Sequence, residues 1–83
     1  MLIKVRYRAQ LAALTGTAGE EIEAASVKEL LRGIGRRFGA ETEKLAKSML
    51  ITVNGESILH LGRFSTPLRD GDEVSFLPIC GGG

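Results

Sequence analysis

The sequence has no tryptophan, a single cysteine and no excess of charge of either sign. One cysteine cannot form an internal disulfide, so the fold has to be stabilised by packing. Eleven Lys and Arg residues against ten Asp and Glu residues give a formal net charge of +1. This near-balance argues against a dedicated nucleic-acid-binding protein, because such proteins usually have a clear basic excess.

Long apolar segments are also absent. No run approaches the roughly 20 residues that a helix needs to span a bilayer, and the first residues lack the charged-then-apolar order of a secretory signal. We therefore expect a cytoplasmic protein. The 83 residues, 43% hydrophobic and 25% charged, are typical of one soluble globular domain.

The first part of the chain predicts a β-hairpin. Alternating apolar and polar residues predict a strand from Leu2 to Arg8 whose odd-numbered side chains face the core. Residues 9–14 change period and predict a short helical turn that ends at Thr15-Gly16. Residues 20–24 predict a second strand with Ile22 facing inward, and its glutamates are expected to face the basic residues of the first strand.

An amphipathic helix beginning at Ser26 is the strongest local signal. The run from Ser26 to Glu29 matches a capping box, in which the serine and glutamate side chains satisfy free backbone donors of the first turn. The helix is expected to end at Gly39. Its apolar stripe consists of Val27, Leu30, Leu31, Ile34 and Phe38.

The opposite face of this helix is basic. Lys28, Arg32 and Arg36 recur every four residues and could bind phosphate or an acidic partner. A solvated surface is the simpler interpretation, because charge patterning alone is a weak signal. Gly33 and Gly35 each cost up to about 1 kcal/mol of helix propensity, and they would permit a close approach to the sheet.

The second half of the chain predicts two further strands. Residues 41–48 are polar and predict a short irregular crossing, followed by a strand over residues 49–53. Asn54-Gly55 is a strong hairpin-turn signal before the return strand at Glu56. Residues 59–65 predict a loop, and His60 has no ligand-spaced partner that would suggest a metal or catalytic role.

A last strand is predicted from Glu73 to Leu77, after turn residues 66–72. Val74 and Phe76 are expected on its core face and Leu77 on its outer face, where it could contact a partner. Pro78 ends the pairing because it lacks a backbone donor.

Three glycines, Gly81, Gly82 and Gly83, follow this strand at the end of the sequence. Glycine packs nothing and loses the most entropy on ordering, so a tail of this kind suggests a role other than folding, with a frayed terminus as the alternative. We predict a β-grasp domain over residues 1–80 and a flexible tail over residues 81–83. Its class is α+β, a small mixed sheet packed on one main helix.

The sequence shows no Ser/His/Asp, Cys/His or paired-carboxylate constellation, so no side chain is predicted to be catalytic. This favours a carrier over an enzyme.

With its elements in this order, the whole chain resembles the ubiquitin-like sulfur carriers of the MoaD and ThiS types. It is most similar to the small subunit of molybdopterin synthase. The resemblance depends most on the Asp70-Gly71-Asp72 run before the last strand, on Phe76-Leu77-Pro78, and on the terminal Gly82-Gly83. The Ile3-Lys4-Val5 opening and the capped helix from Ser26 add to it.

This resemblance implies that the reactive group is the carboxylate of Gly83. A MoeB-like adenylyltransferase would adenylate it with ATP, and a sulfurtransferase or cysteine desulfurase would supply sulfur to give a thiocarboxylate. Gly81 and Gly82 would thread the tail into a MoaE-like large subunit, where sulfur passes to the molybdopterin precursor of the molybdenum or tungsten cofactor. The carrier itself would hold no cofactor or metal and would be no enzyme on its own.

The resemblance also implies a partner-docking set at the end of the last strand. Arg8 occupies a position where the family often has an aromatic residue, and Cys80 replaces an aliphatic residue, so it has either a packing role or a part in sulfur exchange. The implied docking residues are Arg8, Phe76, Leu77, Pro78, Ile79 and Cys80.

Other fates of the tail remain open at this point. The same chemistry could serve thiamine thiazole formation, tRNA thiolation or cysteine synthesis. A protein modifier conjugated to lysine through Gly83 is a second class, and a β-grasp interaction domain with an inert tail is a third.

Overall fold

Five strands form one mixed sheet in the computed structural model, which describes residues 1–79. The strand order across the sheet is β2-β1-β5-β3-β4. The strands are β1 (Leu2–Tyr7), β2 (Gly19–Glu23), β3 (Leu50–Val53), β4 (Glu56–Ser57) and β5 (Glu73–Leu77). The helices are α1 (Gln10–Thr15), α2 (Val27–Phe38) and α3 (Ala40–Ser48), with 3₁₀ turns at Ile58–His60 and Arg63–Ser65. The predicted α+β class is confirmed.

The last strand in the sequence lies at the centre of the sheet. Strand β5 pairs parallel with β1, where Tyr7 is opposite Phe76, and antiparallel with β3, where Ile51 is opposite Phe76. The side chains of Val74 and Phe76 are fully buried, as the alternation predicted. Both neighbours of β5 therefore fix its position, and the segment that follows it starts from the middle of the sheet.

Helix α2 covers the apolar face of the sheet. The Ser26 hydroxyl accepts a hydrogen bond from the backbone N–H of Glu29 at 3.1 Å, which is the serine half of the predicted capping box; the return bond from Ser26 N to the Glu29 side chain is not found within residues 1–79. Gly39 ends the helix at a φ of 103°. Four of the five predicted stripe residues are fully buried and Phe38 is half-buried; the buried ones are Val27, Leu30, Leu31 and Ile34.

The prediction of an irregular crossing over residues 41–48 was wrong, because this segment forms helix α3. Thr42 and Ala46 lie one turn apart on its buried face, and Leu45 packs partly against the core. A side chain at Gly35 would overlap the Glu43 carboxylate. The glycine in α2 therefore lets α3 approach closely.

The hairpin between β3 and β4 confirms the predicted turn. Asn54 and Gly55 have φ values of 51° and 86°, and this pair of left-handed residues is typical of a type I′ turn. Residues 66–68 then return to the start of α2, because Val27 N donates to Thr66 O at 3.0 Å and Leu68 N donates to Ala25 O at 2.9 Å.

Of the glutamates of β2, Glu21 lies opposite Lys4 of β1, as expected, but Glu20 does not face a basic residue of that strand. Glu20 lies opposite Val5, whose side chain points into the core, so Glu20 faces the helices. Its carboxylate accepts a hydrogen bond from the Tyr7 hydroxyl at 2.7 Å and forms an ion pair with Arg37 of α2 at 2.9 Å. On the outer face, Arg6 instead pairs with Glu73 of β5.

Candidate functional site

The candidate site is the point where β5 ends and the tail begins. Ring packing holds this end of the strand in place: Phe76 stacks on Tyr7 with ring centroids 6.2 Å apart, and Tyr7 meets Phe38 edge-on at 6.2 Å. Burial and the Glu20 carboxylate raise the pKa of the Tyr7 hydroxyl well above its ordinary value. Tyr7 therefore stays neutral and donates its hydrogen bond throughout the physiological range.

Phe76 must be removed from the set of docking residues. Its side chain is fully buried in the core, so a partner cannot contact it without disrupting the sheet. The sequence leads to two predictions for Phe76, a core position from the alternation along β5 and a docking role from the family resemblance. The structure confirms the core position, which is incompatible with the docking role. Phe76 instead anchors the strand that leads to the tail.

Leu77 and Ile79 form the accessible apolar part of the site. Leu77 is half-buried on the outer face of the sheet and pairs with Leu50 of β3. Pro78 is exposed, and 65% of Ile79 is accessible to solvent. Ile79 also lines a groove of about 230 Å³, here called the tail-base groove, together with Met49, Leu50, Ile58 and Leu59.

Arg8 lies at the same end of the sheet. It is exposed and follows Tyr7, whose parallel partner is Phe76, so it lies beside the end of β5. Ala9, with a φ of 54°, then turns the chain into α1. The register therefore places Arg8 beside Leu77 on the outer face, whereas Pro78 follows Leu77 and Ile79 lines the tail-base groove on the β3 side.

The outer face of the sheet changes character along its length. Its far end is charged: Lys4 lies opposite Glu73, and the hydrogen bond from Arg6 lowers the pKa of the Glu73 carboxyl below its usual range. Ser75 and Thr52 lie opposite each other in the middle. The end of this face at the C-terminus of β5 is apolar, with Leu50 and Leu77. It is therefore the part best suited to a protein contact from which water is excluded.

The Asp-Gly-Asp run has a structural role. Asp70 Oδ1 accepts a hydrogen bond from the backbone N–H of Leu2 at 2.7 Å. Asp72 accepts one from Arg69 N at 2.8 Å and one from Asn54 Nδ2 at 3.0 Å, and these two bonds lower the pKa of its carboxyl. Gly71 has a φ of 87°. The run therefore ties the starts of β1 and β5 to the β3–β4 turn.

Two properties of residues 1–79 bear on other functions. No group of three or more His, Cys, Asp or Glu side chains comes together there as a metal site would require. Within the same range, no helix has the length and apolar character needed to cross a membrane.

The remaining predicted site residues, Cys80, Gly81, Gly82 and Gly83, lie outside the part of the chain that the structure describes. The sequence-based interpretation missed the tail-base groove, because its lining comes from four separate segments of the chain. The exposed Leu59, Leu61 and Phe64, three large apolar residues in a predicted loop, were the one available signal.

The fold and the site together define a ubiquitin-like β-grasp protein. A family model described as the ThiS family matches residues 5–83, and the chain therefore belongs to the ThiS family. A candidate sulfur carrier protein of Archaeoglobus fulgidus is 31% identical over 90 aligned positions, which cover 100% of both chains. The protein is thus a member of the ubiquitin-like sulfur carriers, which in general have no catalytic activity of their own.

Two solved structures are also similar. Small archaeal modifier protein 1 from Methanosarcina acetivorans has a TM-score of 0.85 and 26% identity, with 99% of this chain and 96% of that chain covered. A chain from the complex of subunits 1 and 2 of the molybdopterin-converting factor of Helicobacter pylori 26695 has a TM-score of 0.67 and 30% identity, with 100% of both chains covered.

Proposed function

We propose that this protein is a sulfur carrier of the molybdopterin synthase small-subunit type. Its Gly83 carboxylate is adenylated, converted to a thiocarboxylate and used as the sulfur donor in molybdenum or tungsten cofactor biosynthesis. The partners are an adenylyltransferase of the MoeB type, a sulfur-supplying enzyme and a large subunit of the MoaE type.

The chemistry needs only the terminal carboxylate from this chain. A carboxylate is a poor electrophile, and attack of its oxygen on the α-phosphorus of ATP gives an acyl-adenylate and releases pyrophosphate. A sulfide equivalent then attacks the carbonyl carbon, the bond to the adenylate oxygen breaks, and AMP leaves. The absence of side chains at Gly81 and Gly82 suits passage through a narrow channel.

The observation that carries this proposal is the position of β5. The strand that leads to the tail is paired on both sides and anchored by the buried Phe76. Leu77 and Ile79 beside it offer apolar contacts to a partner. The 30% identity to a chain of the molybdopterin-converting factor complex favours this pathway among those open to a sulfur carrier.

The proposal is tested by intact mass spectrometry. The full chain is incubated with ATP, a MoeB-type adenylyltransferase and a sulfur source, and one oxygen should be exchanged for sulfur. A chain lacking Gly83 is the matched control and should not change in mass. If the full chain keeps its mass with every adenylyltransferase tried, the carrier proposal fails. Addition of a large subunit and pterin precursor then tests the acceptor.

A protein modifier is the second candidate, favoured by the similarity to small archaeal modifier protein 1. In that case the activated Gly83 carbonyl would form an isopeptide bond with a lysine amine. Digested lysate from cells expressing the tagged chain would contain lysine residues bearing the C-terminal glycine remnant. Thiocarboxylate without such conjugates would favour the sulfur-donor role.

A further inference from the structure

A second groove, of about 350 Å³, lies between α2, α3 and the 3₁₀ turn Arg63–Ser65. Helix α2 contributes Lys28 and Arg32, α3 contributes Lys47 and Glu43, and the turn contributes Phe64. We call it the basic–aromatic groove. Two of the three residues of the basic row predicted on α2 therefore lie beside an exposed aromatic ring, a combination that the sequence alone did not indicate.

The charges in this groove are not balanced. Glu43 forms an ion pair with Lys47 at 3.2 Å. Lys28 and Arg32 are exposed one turn apart on α2, and neither takes part in an ion pair among residues 1–79. The groove thus has two uncompensated cations in a protein whose total formal charge is only +1. A negatively charged ligand is the complement of such a surface.

Phe64 is presented outward by a well-anchored turn. Ser65 N donates to Gly62 O at 2.9 Å, and the hydroxyl of Thr66, which is buried, donates to Arg63 O at 2.7 Å. Phe64 itself remains 42% exposed. An exposed aromatic ring held in place beside cations is the kind of residue that contributes strongly to protein–protein binding.

The basic–aromatic groove is continuous with the tail-base groove, because Phe64 and Lys47 line both. The combined surface is basic at one end, with Lys28 and Arg32, and aliphatic at the other, with Leu59 and Ile79. It runs from the helices to the end of β5. Its aliphatic end shares Leu50 with the outer sheet face around Leu77.

We propose that this combined surface binds an acidic, amphipathic peptide segment of a partner protein. Carboxylates of the segment contact Lys28 and Arg32, one apolar side chain packs on Phe64, and a second enters the tail-base groove. The aliphatic lining of that groove favours a peptide over a nucleic acid, which would need a wider basic surface and further rings for its bases. A partner that carries this segment would be held close to Ile79, at the end of the domain from which the tail leaves.

Binding is tested with the full chain and two fluorescein-labelled peptides. The first peptide alternates leucine with glutamate, and the second replaces each glutamate with lysine. Fluorescence anisotropy should show binding of the acidic peptide only, and binding should weaken as salt is added. In ¹⁵N NMR spectra the acidic peptide should shift the amide signals of Arg32 and Phe64.

Matched variants locate the contact. Arg32→Glu and Phe64→Ala should each weaken binding of the acidic peptide by about tenfold or more. Arg36→Glu makes the same charge change one turn later on α2, and Leu14→Ala removes an exposed apolar side chain elsewhere on the surface. Both controls should retain the affinity of the native chain within about threefold.

Equal affinity of Arg32→Glu and the native chain for the acidic peptide would overturn the proposal, and so would equal binding of the two peptides. A single-stranded oligonucleotide and anionic vesicles are tested in the same way. If one of them binds through Arg32 and the acidic peptide does not bind, the groove has a different ligand and the peptide proposal is wrong. None of these measurements involves ATP or sulfur. Their outcome is therefore separate from that of the thiocarboxylate experiment.

Discussion

Asp72 connects three segments through one side chain. Its two carboxylate oxygens accept hydrogen bonds from Arg69 N and from Asn54 Nδ2, and the Asn54 amide oxygen in turn accepts one from Glu73 N at 3.0 Å. The β3–β4 turn is thereby fixed to the start of the central strand. The pKa of Asp72 is lowered mainly by the bond from Arg69 N and next by the one from Asn54, so the bonds favour the ionised form.

The Asp72→Asn variant should be less stable than the native chain by about 1 kcal/mol at neutral pH. The two bonds go to different carboxylate oxygens, and asparagine would place an NH2 donor where one of these acceptors stands, facing another N–H donor. Because folding lowers the pKa of Asp72, its contribution is present above the ordinary carboxyl pKa and is lost as the pH falls through the lowered value. Urea unfolding at a series of pH values should show a difference that shrinks towards acid.

Glu56→Gln is the control for this experiment. Glu56 is an exposed carboxylate on the adjacent strand β4 and makes no side-chain hydrogen bond within residues 1–79. Its replacement should change the free energy of unfolding by no more than about 0.5 kcal/mol at any pH. A difference for Asp72→Asn that stays constant from neutral to acid pH would contradict the assigned role of the charge.

At the scale of elements, the two glycines inside α2 have different neighbours. A Cβ at Gly33 would lie 3.6 Å from Ile22 Cγ2, which is ordinary van der Waals contact with the sheet. A Cβ at Gly35 would overlap the carboxylate of Glu43 and lie 3.3 Å from its Cβ. The close neighbour of Gly35 is therefore the Glu43 side chain of α3 and not the sheet, and a side chain at Gly35 would displace it.

Gly33→Ala should stabilise the protein by about 0.5–1 kcal/mol, because alanine has the better helix propensity and its methyl group fits. Gly35→Ala should raise the free energy of unfolding by less than Gly33→Ala, or lower it. The Glu43 side chain must move to make room, and its ion pair with Lys47 is disturbed. Urea unfolding of both variants measures the difference. Equal stabilisation by the two substitutions would show that α3 does not pack against α2 as described.

The sequence was sufficient to predict elements whose signals are local. Strand β1, the capped start of α2 and the Asn54-Gly55 turn all follow from residues close together in the chain. Helix α3 was missed because it faces the core with small or partly buried residues such as Thr42 and Ala46, and these give no apolar stripe. The central place of β5 depends on pairing with β1 across almost the whole chain, which periodicity cannot reveal.

The candidate site shows the same division. Leu77 was correctly placed on the outer face by alternation along β5. The family resemblance placed Phe76 among the docking residues, although the alternation along β5 buries it. The basic–aromatic groove could not be predicted, since Arg32, Lys47 and Phe64 come from three elements that only the folded chain brings together.

At the scale of the whole molecule, two surfaces lie beside the end of β5. The first is the apolar end of the outer sheet face, with Leu50, Leu77 and the nearby Arg8. The second runs over the helical side from the tail-base groove to Lys28 and Arg32. The two surfaces share Leu50, which pairs with Leu77 on the sheet and also lines the tail-base groove.

Leu77→Glu should slow thiocarboxylate formation by about tenfold or more, because a charge in the apolar part of the sheet face would be desolvated on docking of the adenylyltransferase. Ser75→Glu places the same charge on the same face of β5, two residues earlier and opposite Thr52. It should have a smaller effect. The rates are measured by intact mass, with the midpoint of thermal unfolding as a check on folding. Equal rates for the two variants would exclude docking at Leu77.

The central position of β5 has a consequence for synthesis on the ribosome. Strands β1 and β3 do not pair with each other, because β5 lies between them. They therefore cannot join into one sheet while β5 is still being synthesised. Contacts between distant parts of a chain also form slowly. A nascent chain therefore completes its core only as the residues leading to the tail emerge, and premature termination before β5 would leave an unfolded substrate for proteases.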